Sequence, residues 1–112
     1  MLKSKDILTI EYVPGYDVVE VLGYVKGATV QTKNIGRDFA AGLKTIVGGE
    51  IKGYSQMMAD ARQVATERML KEADALEADA VIGFRIQTSS VMNAAAEIIA
   101  YGTAVKLRRH DV

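Results

Sequence analysis

Residues Ile51–Leu76 read IKGYSQMMADARQVATERMLKEADAL, and the spacing of the apolar members decides the fold. Ile51, Tyr54, Met58, Ala61, Ala65, Met69 and Leu76 follow the 3.6-residue period of an amphipathic helix. Asp60, Gln63, Glu67, Lys71 and Asp74 fall opposite them, with Glu67 and Lys71 at the i,i+4 spacing that favours an ion pair. The pattern predicts a helix from Glu50 to about Leu76. Gly48-Gly49 stops or bends the chain ahead of it. Gly53 falls early in the helix, at a cost of roughly 1 kcal/mol relative to Ala. Beyond its end, Asp79 is the expected left-handed residue, because Asp tolerates that conformation better than most residues.

Extended segments flank this helix. Ile7, Leu8, Thr9 and Ile10 suggest a short strand, and Pro14-Gly15 reads as a turn into the next one. From Asp17 to Val30 one alternating set holds Val19, Val21 and Val25, and the other holds Val18, Leu22, Tyr24 and Ala28. Both faces are apolar, so the strand is expected to be covered on both sides, by its own chain or by a neighbouring subunit. Asn34 is placed to cap a short helix through Arg37, Phe39, Ala40, Leu43 and Ile46. After the long helix, Val81 to Thr88 alternates, with Ile82, Phe84 and Ile86 on one face and Arg85 and Gln87 on the other. Ser89 to Asn93 reads as a turn or irregular crossing. A last strand from Glu97 to Leu107 sets Ile99, Tyr101, Thr103, Val105 and Leu107 against a bare ladder of Ala100, Gly102 and Ala104. A helix or another subunit must pack onto that ladder. The expected fold is α+β, a mainly antiparallel sheet with one long and one short helix.

Composition narrows the function. A chain of 112 residues is one domain by size, spanning 1–112. Fifteen alanines, two phenylalanines and no tryptophan imply a thin core, and small side chains favour close subunit packing. Fourteen basic and fourteen acidic residues cancel, which argues against a nucleic-acid partner. No cysteine is present, so thiolate metal sites, iron–sulfur clusters and thiol catalysis are excluded. No apolar signal core or membrane-length run occurs, and the expectation is a cytoplasmic protein without a membrane partner.

The run from Asn34-Ile35-Gly36-Arg37-Asp38-Phe39 to Val47-Gly48-Gly49-Glu50, with Val13-Pro14-Gly15-Tyr16 and Ala100-Tyr101-Gly102-Thr103-Ala104-Val105, resembles the YbjQ-like family. These are small bacterial and archaeal proteins of unsettled biochemical role. The resemblance spans nearly the whole chain. It implies a subunit similar to that of dodecin, assembly as a homopentameric ring, and a heavy-metal-binding label. The pair Glu77-Ala78 replaces the glycine-containing helix end associated with the family.

Asn34, Arg37, Asp38 and Glu50 cluster in sequence, and Glu20 and Glu97 are candidates to join them. They could form a ligand-binding polar pocket at a subunit junction, with Arg37 holding an anion or the carboxylates a cation. The structural alternative is that Asn34 caps a helix, Asp38 favours its first turn, and Arg37 pairs with a carboxylate across the interface. Gly48-Gly49 lacks the following Lys-Ser or Lys-Thr of a nucleotide loop. His110 lies in a basic tail after Lys106, Arg108 and Arg109, which reads as a solvated strand end. Met57, Met58, Met69 and Met92 could offer thioethers, but the helix stripe makes Met58 and Met69 packing residues.

No Ser-His-Asp or Cys-His set can be assembled, so no catalytic residue is assigned and no cofactor is identified. The sequence reads as a non-enzymatic, ring-forming protein that binds an unidentified ligand or partner. One alternative is the metal-binding protein of the family label, with carboxylates better suited to a hard cation. The other is a carboxylate-dependent enzyme with its site at the subunit interface.

Overall fold

The computed structural model describes residues 1–31, 52–92 and 95–110. Its elements are β1 (Tyr16–Gln31), α1 (Lys52–Ala75), β2 (Ala80–Met92) and β3 (Ala95–Arg109), with a 3-10 turn at Ser4–Asp6. The strands form one antiparallel sheet in the order β1-β3-β2, with α1 packed on one face. The expected short helix from Asn34 through Ile46, with Gly48-Gly49, lies outside the described residues.

The core is a layer of small side chains. Ala61, Ala65, Met69 and Ala73, each four residues apart on α1, meet Val25, Val81, Ile98, Ala100 and Ala104 on the sheet. Met69 is the largest fully buried side chain among them. The bare ladder of β3 therefore packs within its own chain, against the helix layer. A Cβ on Gly102 would lie 2.6 Å from Val81 Cγ1 and 3.0 Å from the Ile82 carbonyl oxygen. Leu76 departs from the expected stripe and is exposed. Glu67 accepts from Gln63 Nε2 at 3.2 Å, one turn back along the helix.

Local backbone chemistry sets the ends. Tyr16 N–H donates to the Val13 carbonyl at 3.0 Å, and Gly15 has φ +83°, the geometry of a type II turn with Pro14 in its first central position. At the end of α1 the left-handed residue is Glu77, with φ 60°, and not Asp79. Glu77 N–H donates to Asp74 O and Ala78 N–H to Ala73 O, closing the helix in a Schellman motif. Asp79 instead sits just ahead of β2: its N–H donates to Val105 O, and its carboxylate accepts from Leu107 N–H, both at 2.8 Å.

Other expectations are corrected by the ladders. Ile7 to Ile10 is no strand: Ile7 makes an isolated parallel bridge to Val81, and the residues after it bend. The N-terminal segment crosses the outer edge of β2. There Leu8 N–H donates to Val81 O, Phe84 N–H to Leu8 O and Gly83 N–H to Ile10 O. Ser89 to Met92 continues β2 as strand, where a turn was expected, and Asn93 is outside the described residues. A register shift between Ile82 and Arg85, with Gly83 at φ 63°, breaks the alternation of β2. Ile82 lies opposite Thr103 and Ile86 opposite Ala100, so the two face opposite sides of the sheet.

Candidate functional site

Among the described residues of one chain, α1 covers one face of β1 and leaves the other open. Along β3 the buried residues Ile98, Ala100, Gly102 and Ala104 face α1, so the odd-numbered residues face away. Shifts at Val18/Glu20 and Val21/Gly23 each add a residue to β1 and re-phase its alternation. As a result Tyr16, Val18, Val21, Tyr24 and Val30 share the open face with Ile99, Tyr101 and Thr103. They are 41, 38, 65, 67 and 48% exposed, respectively. At roughly 150–250 Å² for a large side chain, these fractions leave on the order of 500 Å² of surface. The largest apolar patch on a typical monomer is about 300–600 Å² and is often functional.

The N-terminal segment closes one end of this face. Leu8, Val13, Tyr16, Ala80 and Leu107 line a groove of about 490 Å³ together with the charged Lys5, Asp6 and Asp79, and Val105 is buried. Polar groups mark the rest. Lys26 stands over the Tyr24 ring, 5.1 Å from its centroid, and donates to the Tyr24 hydroxyl at 3.2 Å. That hydrogen bond raises the Lys26 ammonium above its ordinary value. Arg85 Nη1 donates to Thr9 O at 2.9 Å, tying the arm to β2.

The six candidate ligand residues are only partly visible. Asn34, Arg37, Asp38 and Glu50 lie outside the described residues. Glu20 stands opposite Lys106 and Glu97 opposite Val30. Lys106 and Glu97 are nine residues apart on β3, about 30 Å, and on opposite faces of the sheet. One chain does not bring Glu20 and Glu97 together.

Three arrangements escaped the linear reading. The Nε2 of His110 lies 2.7 Å from Asp17 Oδ1, and both side chains are about half exposed. The two residues are far apart in sequence and meet because the start of β1 lies beside the end of β3. Arg68 Nη1 donates to Ala28 O at 2.6 Å, and Lys26 N–H donates to Glu72 Oε1 at 3.3 Å. The one sequence signal for this second arrangement was the i,i+4 spacing of Arg68 and Glu72. The third is the membership of the open face, set by the two added residues, although the apolar character of both strand faces was legible.

A two-layer α+β domain that has, among the described residues, one helix on a three-stranded sheet and an uncovered apolar face is the class of protein these features define. Comparison with known proteins gives the family. A family described as "Putative heavy-metal-binding" (YbjQ) matches residues 6–108. A UPF0145 protein of Halalkalibacterium halodurans is 63% identical over 103 residues, covering 92% of this chain and 97% of that one. A UPF0145 protein of Thermotoga maritima is 60% identical with the same coverage. The chain belongs to the YbjQ family. A protein of unknown function from Pediococcus pentosaceus, assigned to the DUF74 family, shares the fold at TM-score 0.59. It is 20% identical, and the match covers 91% of this chain and 96% of that one. No helix among the described residues is long and apolar enough to cross a membrane.

Proposed function

We propose that this protein is a non-enzymatic, cytoplasmic homo-oligomer, a ring of five, that binds an unidentified ligand or partner and whose subunits meet through the open sheet face. The observation that carries this reading is the exposed apolar set Val18, Val21, Tyr24 and Val30. A core in which half the buried residues are alanine has little apolar area to offset that exposure. The family resemblance supplies the number five. Light scattering at micromolar concentration tests it: the expected mass is five times the 12.1 kDa chain. A 12.1 kDa species would overturn the reading, and a stable dimer or hexamer would remove the fivefold ring.

The family description makes metal binding the second reading, and the donor chemistry fits a soft heavy metal poorly. The chain has no cysteine and one histidine, and that imidazole is engaged by Asp17 at the end of the sheet. Such metals select thiolate, thioether and converging imidazole ligands. Met69 is buried in the core and Met58 packs against it. Among the described residues no three His, Cys, Asp or Glu side chains gather. Elemental analysis of freshly purified protein is expected to give well under one zinc, copper or cadmium per chain. Stoichiometric metal surviving gel filtration would favour the family description instead.

A further inference from the structure

The bulge in β2 and the N-terminal arm that crosses it are two halves of one contact. Among the described residues β2 pairs in the sheet with β3 alone, so its other edge faces outward. From Ala80 to Phe84 that edge carries no charge and no proline, and a bare edge of this kind is a template for a further strand. At the bulge, Gly83 and Phe84 stand where β3 supplies Gly102 alone. A regular antiparallel strand turns only every second N–H outward. Here two consecutive ones turn outward: Gly83 N–H donates to the Ile10 carbonyl at 2.9 Å, and Phe84 N–H to the Leu8 carbonyl at 3.0 Å. Glycine is required at position 83 by conformation and not by space. Its φ is +63°, and nothing lies within 4 Å of the place a Cβ would take.

The arm is tied at both ends of its run. Leu2 is buried in the core, and its N–H donates to Asp74 Oδ1 on α1 at 2.8 Å. After the 3-10 turn at Ser4–Asp6, Ile7 packs against the core and Leu8 N–H donates to the Val81 carbonyl at 2.8 Å. Arg85 Nη1 donates to the Thr9 carbonyl at 2.9 Å. All three carbonyls from Leu8 to Ile10 therefore accept a bond from β2.

We infer that residues 2–10 are a strap that keeps the Val81–Phe84 edge closed to strand addition, and that this edge takes up an extended peptide once the strap is loosened. Release of the arm leaves the Gly83 and Phe84 N–H groups and the Val81 carbonyl without their partners. Main-chain groups in that state on an apolar edge are what an added strand satisfies. The segment that fits is extended, apolar where Ile7 and Leu8 lie, and free of proline, as the arm itself is there. The strap lies within one chain and acts alike in one copy or in several.

Leu8→Pro in the full chain removes the N–H that the Val81 carbonyl receives. Residue-resolved hydrogen exchange is expected to show the Gly83 and Phe84 amides about tenfold faster in that variant than in wild type. A labelled peptide of residues 1–12, with Leu8 intact, should bind the variant about tenfold more tightly than wild type and restore slow exchange at both amides. Unchanged exchange in the variant would overturn the strap. Faster exchange with no capture of the peptide would overturn the acceptor edge. Should Leu8→Pro fail to fold, Arg85→Ala takes its place, because it cuts the tie to Thr9 from an exposed side chain. The same two measurements then decide.

Discussion

Glu77 shows how a single position can be kept in a conformation its side chain resists. The Schellman bonds from Glu77 and Ala78 to the last turn of α1 require φ near +60°. An L-residue with a Cβ pays about 1–2 kcal/mol for that region, and glycine escapes most of this cost. Glu77→Gly is expected to raise stability by ~0.5–1 kcal/mol, after allowing for glycine's greater freedom in the unfolded chain. Chemical denaturation with an unchanged slope would check it, and a loss of stability would show that the Glu77 side chain makes a contact of greater worth. The sequence marked this helix end as unusual, since Glu77-Ala78 replaces the expected glycine. Propensity favoured Asp79 for the left-handed turn, but Asp79 is taken by its bonds to Val105 and Leu107.

Elements carried by a strong period were legible, and those altered by one inserted residue were not. The helix from Glu50 to Leu76 appears as Lys52–Ala75 within the described residues, and β3 extends the expected Glu97–Leu107 at both ends. On β1 and β2, four register shifts interrupt the alternation, and nothing in a linear pattern announces which residue a ladder will skip. The ladder Ala100-Gly102-Ala104 was correctly read as a place of close packing. Its partner is the chain's own helix layer. Gly102→Leu is accordingly expected to damage the fold of the subunit, because Val81 and the Ile82 carbonyl already occupy the space. Overpacking of this kind costs ~1–3 kcal/mol. The loss should appear as a lower melting temperature in a Val21→Lys background as well as in the wild-type background. An effect confined to assembly would place Gly102 at the subunit contact instead.

For the whole molecule, the governing fact is an imbalance between its two sheet faces. Among the described residues, one is sealed by α1 through alanines and a methionine, and the other presents valines and tyrosines. The polar residues first singled out around Arg37 lie outside the described residues, and Glu20 and Glu97 are separated by most of a strand. What the described residues display most plainly is an open apolar face. Val21 stands near the middle of it, 65% exposed and opposite Val105 in the ladder. A lysine there has room in the isolated subunit and would be buried without a partner in the assembly, which is strongly unfavourable. The native mass spectrum of Val21→Lys therefore tests the account most directly. It should show the 12.1 kDa chain alone, with the helical circular dichroism of the wild type retained. An assembly of the same mass and stability as the wild type would contradict the account and return the open face to solvent.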